Sequence, residues 1–184
     1  MQTLSKAFGL AGIRLGAAFA SVEVAGLLNC LKAPYNISNP TSQLAIQGVS
    51  TSGLKVMEEN RAQIIKQRER MLRELPKVKG IGRFRGGDAS NFLLVEVLNQ
   101  EGKPCNVVAA KVYEGLAERR GVVVRFRGRE VGCEGCLRIT VGTEEEVTRF
   151  LKEVDKVIQD VWGGQGKTNG DLEGVMKEET MVVT

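Results

Sequence analysis

Pro76 constrains this chain more than any other residue, because the hydrophobic patterns on its two sides belong to different kinds of element. Ahead of it, Met57, Ile64, Met71 and Leu75 fall at spacings of seven, seven and four. That period predicts one long amphipathic helix over residues 54–75. Its other face carries Arg61, Lys66, Arg68, Glu69, Arg70, Arg73 and Glu74, a solvated charged surface. Proline has no amide hydrogen and disfavours a helical residue before it, so the helix ends there. Beyond it the segments are short. Gly82–Arg85 and Phe92–Val97 read as strands joined through Gly86-Gly87-Asp88, and Asn106–Arg119 as a helix closed by Gly121 at C′. Val122–Phe126 and Leu137–Val141 read as strands. Thr143-Glu144-Glu145-Glu146 is a capping box opening a helix to Trp162, with Val147, Phe150, Leu151, Val154, Ile158 and Val161 as its buried stripe. Residues 77–162 thus predict a small α+β domain, ordered ββαββα, that can close its own core.

Upstream, Leu15–Ala20 is a short apolar run that reads as a buried strand. Ser21 suits the N-cap of a helix to about Leu31, with Val24, Leu27, Leu28 and Leu31 on one stripe. Pro34 and Pro40 then force an extended crossing, after which Thr41 or Ser42 caps another helix, bent near Ser50–Gly53. Residues 163–184 are Gly-rich and then polar, the composition of a disordered tail.

The stretch richest in chemistry is Thr3-Leu4-Ser5-Lys6-Ala7-Phe8-Gly9-Leu10-Ala11-Gly12-Ile13-Arg14-Leu15-Gly16. One lysine sits among small residues, a hydroxyl precedes it, and an arginine follows eight positions later. A lysine that must attack a carbonyl has to be partly desolvated, so that its neutral amine is accessible. Ser5 and Arg14 can supply a hydroxyl and a planar, permanently charged fork for a phosphate. Glycines at 9, 12 and 16 let the backbone run close to a bulky cofactor. The bland reading is a Gly-rich loop with a surface lysine.

These fourteen residues, matched in order, resemble the pyridoxal-phosphate (PLP) lysine segment of class II aminotransferases, and within them most closely the histidinol-phosphate aminotransferases. The Pro34-Tyr35-Asn36-Ile37-Ser38-Asn39-Pro40 stretch resembles the same family, where a Pro-Tyr-x-x-Ser-x-Pro run follows the lysine helix. The resemblance implies that Lys6 holds PLP and shuttles the substrate proton, while Ser5 and Arg14 hold the cofactor phosphate. In the family the lysine lies past the middle of the chain; here it is residue 6, so the expectation is the back half of such an enzyme.

Cys136-Leu137-Arg138-Ile139-Thr140-Val141-Gly142 carries a second resemblance. In aminotransferases of this fold an arginine in that strand clamps the substrate α-carboxylate, a task a bidentate guanidinium performs better than an ammonium. Arg138, flanked by Leu137 and Ile139, points to the opposite face from both; alone it reads as an exposed edge-strand arginine, and beside the lysine motif it reads as the clamp. Arg125, thirteen residues earlier, matches a substrate-end arginine of histidinol-phosphate aminotransferases, with Arg127 and Arg129 as close competitors.

Net charge is +4, and since residues 163–184 hold two Lys and four acids, residues 1–162 carry +6. That suits an anionic, phosphorylated substrate. It is too diffuse for nucleic acid, and 5% aromatics are too few for a base-stacking platform. Arg83-Phe84-Arg85 and Arg125-Phe126-Arg127 alternate as half-buried strands do. No run approaches the roughly 20 apolar residues of a membrane span, and no signal-peptide pattern opens the chain, so a cytoplasmic protein is expected. Cysteines 30, 105, 133 and 136 then read as free thiols. Cys133-Glu134-Gly135-Cys136 has metal or redox spacing, but no histidine and no second CxxC completes a zinc site, so no metal is expected. It also precedes a strand instead of opening a helix, as a thioredoxin-like motif would.

Taken together the reading is α/β, the C-terminal part of a fold-type I PLP aminotransferase. Residues 1–53 would be a remnant of the large cofactor domain, 54–76 a connecting helix, 77–162 the small domain and 163–184 a tail. The resemblance implies amino transfer between glutamate and imidazole-acetol phosphate in histidine biosynthesis, with the full-length family member a homodimer. The alternatives are a related phosphothreonine-type decarboxylase and a noncatalytic remnant.

Overall fold

The computed structural model describes residues 1–164. The expected disordered tail lies outside the described residues from 165 onward, while Gly163 and Gly164 belong to the last helix. The chain divides into two compact units, Met1–Ile65 and a second beginning at Lys66.

In the first unit, β1 (Gln2–Thr3) pairs antiparallel with β2 (Gly16–Ala17), and a 3-10 turn spans Ala11–Ile13. The strand expected over Leu15–Ala20 is therefore reduced to two residues. A strand exists only as far as its partner does, and β1 offers two residues. Helix α1 (Val22–Cys30) starts as expected, with the Ser21 hydroxyl accepting from Val24 N at 3.5 Å. Its stripe of Val24, Leu27, Leu28 and Leu31 is exposed among the described residues. Helix α2 (Asn39–Gly48) is capped by Ser38, whose hydroxyl accepts from Thr41 N at 3.3 Å. This corrects the expected cap at Thr41 or Ser42: Pro40, fixed at a helical φ, is tolerated in the first turn, so the helix begins ahead of it. The expected bend is a break, after which α3 (Thr51–Glu74) begins; Ser50 Oγ donates to Gln47 O at 2.7 Å and accepts from Gly53 N at 3.2 Å.

In the second unit, α3 passes into a 3-10 turn over Leu75–Lys77, where Pro76 stops it and Leu75 is buried. There follow β3 (Ile81–Arg85), β4 (Phe92–Val97), α4 (Asn106–Glu114) with a π-helical turn at Gly115–Arg119, β5 (Arg125–Phe126), β6 (Cys136–Thr140) and α5 (Glu144–Gly164). The ββαββα order is as expected, and the four strands form an antiparallel sheet in the order β3-β4-β6-β5. The strand expected over Val122–Phe126 shortens to Arg125–Phe126, because Val122 N donates to Leu116 O at 2.9 Å and so still closes the preceding helix.

One sheet face is apolar: Leu93, Val95, Val97, Leu137 and Ile139 are buried with Val108, Val112 and Leu116 of the α4 region and Val147, Phe150, Val154 and Ile158 of α5. Each such side chain contributes roughly 1.5–3 kcal/mol on burial. The α5 capping box is formed, with Thr143 N donating to Glu146 Oε2 at 2.8 Å and Glu146 N to Thr143 Oγ1 at 3.3 Å. No helix among the described residues is long and apolar enough to cross a membrane.

Candidate active site

The predicted residues fall into two groups, one in each unit. In the first, β1 and β2 form the neck of a loop. Thr3 is the Cα partner of Gly16, and Leu4 N donates to Leu15 O at 3.4 Å. Ser5 and Lys6 follow β1 and Arg14 precedes β2, so the three lie on the loop that this neck closes, eight or nine positions apart in sequence.

Local bonding shapes this loop. Ser5 Oγ accepts from Thr3 Oγ1 at 2.8 Å, Lys6 O accepts from Gly9 N at 3.0 Å, and Gly9 takes φ +67°. Arg14 ends the 3-10 turn at φ +53°, and its Nη1 donates to Ala11 O at 3.2 Å. A left-handed conformation at a residue with a Cβ costs roughly 1–2 kcal/mol. Glycine there would relieve that cost. The first 22 residues contain Lys6 and Arg14 as their only charged side chains and no acid, which is the donor chemistry an anionic group requires. Ser5 is partly buried, whereas Lys6 is exposed, so the described residues do not desolvate its amine.

In the second unit, β6 brings Arg138 between Leu94 of β4 and Arg125 of β5, each its Cα partner. The two predicted arginines, thirteen apart in sequence, are therefore directly cross-strand. Alternation holds as expected: Leu137 and Ile139 are buried in the core, and Arg138 lies on the other face. Like charges opposed in this way destabilise a sheet, and among the described residues neither arginine has a carboxylate partner. Arg138 Cζ sits 5.3 Å from the centroid of the Phe92 ring, a cation–π contact. Its Nε is buried without a hydrogen-bond partner. A buried donor left unmatched costs roughly 1–3 kcal/mol. Of the competitors, Arg127 is committed locally, Nη1 donating to Glu130 Oε1 at 2.8 Å.

Sequence reasoning missed two partners on this sheet face. From sequence Phe92 reads only as a strand residue, because its register two rows from Arg138 is set by the pairing of β4 with β6. Glu96, the one acid in Phe92–Val97, is 2% exposed and holds both Arg83 and Arg85. Its carboxylate accepts from Arg83 N at 3.1 Å, from Arg83 Nε at 3.4 Å and from Arg85 Nε at 2.7 Å. Burial by itself would raise the Glu96 pKa, but the Arg83 amide and the two guanidiniums together hold it below the usual carboxylate value. A lone acid inside an apolar strand, with two arginines two residues apart on the strand before it, was the available signal.

The class I and II aminotransferase family matches residues 1–154. Histidinol-phosphate aminotransferase from Schizosaccharomyces pombe is 50% identical over 163 residues, covering 88% of this chain and 42% of that protein. The crystal structure of the histidinol-phosphate aminotransferase from Clostridium acetobutylicum superposes with a TM-score of 0.70 at 25% identity, over 85% of this chain and 44% of that one. A histidinol-phosphate aminotransferase from Sinorhizobium meliloti, solved in complex with pyridoxal-5'-phosphate, shares the fold with a TM-score of 0.72 at 21% identity, over 86% of this chain and 40% of that one. The chain thus spans about two fifths of the length of the relatives it matches. The family match takes in the Lys6 loop and both cross-strand arginines, and the fold agrees with it: this chain belongs to the class I and II aminotransferases.

Proposed function

We propose that this chain carries the lysine and carboxylate-clamp portion of a PLP-dependent histidinol-phosphate aminotransferase, moving an amino group between glutamate and imidazole-acetol phosphate in histidine biosynthesis. The observation that carries the reading is the cross-strand Arg125–Arg138 pair, with its unmatched buried donor and no carboxylate partner among the described residues. The identity to histidinol-phosphate aminotransferases supports the choice of substrate.

The cofactor, when bound, supplies an electron sink for the charge left on the substrate α-carbon when its proton departs. Lys6 would hold it through Nζ, and Ser5 Oγ and the Arg14 guanidinium would take its phosphate. With substrate in place, the freed Lys6 amine is the group to accept the α-proton and return it. Arg138 would grip the glutamate carboxylate through two parallel N–H donors, leaving no freedom in the plane of the carboxylate. Arg125 adds a second positive charge beside it, suited to a substrate with a second anionic group. The basic balance of residues 1–162 supports phosphorylated substrates.

The whole reaction is proposed for the protein at the length of its relatives, assembled as a cytoplasmic homodimer. The uncovered α1 stripe supports further protein packing there. Turnover is not expected of residues 1–184 alone: the chain's aspartates are Asp88, Asp155, Asp160 and Asp171, all downstream of Lys6, whereas the family's pyridine-nitrogen aspartate lies upstream of the lysine. Borohydride trapping of PLP in a chain extended to the relatives' length tests the assignment. The adduct is expected on Lys6 and absent in Lys6→Ala; an adduct mapped to Lys32 or Lys55 refutes it.

A further inference from the structure

The turn feeding β6 carries Cys133 and Cys136, which the aminotransferase reading leaves without a role. Cys136 N donates to Cys133 O at 2.9 Å, closing a β-turn, with Gly135 at φ +67° in its third position. A β-turn keeps its first and fourth Cα atoms within about 7 Å, and a disulfide needs about 4.4–6.8 Å. The turn is seated on a frame. Gly135 N donates to Asn106 Oδ1 at 2.7 Å, and a Cβ at Gly135 would stand 2.6 Å from Cys105 N and 2.9 Å from Val97 O. No other residue type fits there, so the frame holds the two cysteines in this geometry.

The two thiols are unequal. Cys136 is 0% exposed and donates to Glu134 O at 3.6 Å, while Cys133 is partly exposed. Burial pushes the Cys136 thiol up to about 11, and the neighbouring Cys133 adds to the rise. An incoming reagent therefore meets Cys133 first and finds Cys136 behind it. Two thiols held at the ends of one turn are the arrangement that thiol–disulfide exchange requires.

We propose that Cys133 and Cys136 are a redox-active pair that closes an intramolecular disulfide by exchange with a small disulfide of the glutathione class. The Cys133 thiolate attacks one sulfur of the small disulfide, whose other half leaves and takes up the proton Cys133 lost. The Cys136 thiol then loses its proton, attacks the Cys133 sulfur and releases the second half as a thiol. One disulfide is reduced to two thiols, and two protein thiols are oxidised to one disulfide. Cys136 lies two residues before Arg138 on the same face of β6, so the bridge would stiffen the turn that leads into the arginine.

Trypsin would release both cysteines in one peptide, Glu130–Arg138. The full 184-residue chain is incubated with oxidised glutathione, quenched with acid, digested without reductant and mass-mapped. The expected wild-type peptide is two hydrogens lighter and free of glutathione, and dithiothreitol restores its mass. In Cys136→Ser the same peptide should instead keep one glutathione on Cys133, and in Cys133→Ser it should stay unmodified. Exposed Cys30 reports that the reagent was active. A wild-type peptide that retains glutathione, stays reduced while Cys30 is modified, or bridges to Cys105 overturns the proposal.

Discussion

Replacing Glu96 by glutamine tests how the second unit tolerates a buried charge. Glu96 is 2% exposed, and its carboxylate takes the Arg83 amide at 3.1 Å and Arg85 Nε at 2.7 Å besides the Arg83 guanidinium. Removing one partner of a buried ion pair typically costs ~3–5 kcal/mol, because the other charge is stranded. Here the stranded groups can rehydrate, since the Arg83 and Arg85 side chains are 74% and 41% exposed. Glutamine also keeps one acceptor for the Arg83 amide. What is lost is mainly the charged character of the bonds, worth ~1.5–3 kcal/mol for a charge-assisted hydrogen bond. We therefore expect Glu96→Gln to destabilise the unit by about 2 kcal/mol, lowering a urea midpoint by roughly 1–2 M. Trp162 is the only tryptophan, and its Nε1 donates to Leu98 O at 3.2 Å, so its fluorescence follows this unit.

The pH dependence makes the test specific. The folded pKa of Glu96 lies below its ordinary value of 4.5, so its stabilisation is fully present above that value and fades as pH falls through the folded pKa. Protonated glutamate resembles glutamine, so the gap between wild type and variant should be constant from pH 7 to about 5 and should close below 4.5. A gap that persists unchanged at pH 3, or one below about 0.5 kcal/mol at pH 7, would refute the reasoning.

Other perturbations follow from the same geometry. Thr143→Ala removes the hydroxyl that accepts from Glu146 N and should cost ~1 kcal/mol in the same urea titration. Gly80→Ala meets both a φ of +99° and a Cβ placed 2.7 Å from Ile158 Cγ2 and 2.8 Å from Trp162 Cζ2; a loss of at least ~1–3 kcal/mol with altered Trp162 emission is expected. In the protein at the length of its relatives, Arg138→Lys keeps the charge but loses the fork, so KM for glutamate should rise on the order of tenfold with PLP absorbance intact. Equal loss of cofactor and substrate binding would mark Arg138 as structural instead.

What the chain's own order of residues determined is whatever depends on near neighbours. The helix stop at Pro76, the capping box at Thr143–Glu146, the Ser21 cap and the ββαββα succession all rest on interactions within a few residues, and each is found where local chemistry puts it. The lysine loop was legible for the same reason, as a contiguous run from Thr3 to Gly16. Tertiary structure alone decided which strand lies beside which. Alternation assigns Arg138 to a face, but only the β3-β4-β6-β5 order and register make Arg125 its partner, set Phe92 beneath it, and bring Arg83 and Arg85 onto Glu96. The same dependence shortened the expected strands at Leu15–Ala20 and Val122–Phe126, since a strand ends where its partner does. Burial separated Cys136 from Cys133 in the same way: sequence spacing shows two thiols three residues apart, and only the packed sheet makes one of them inaccessible.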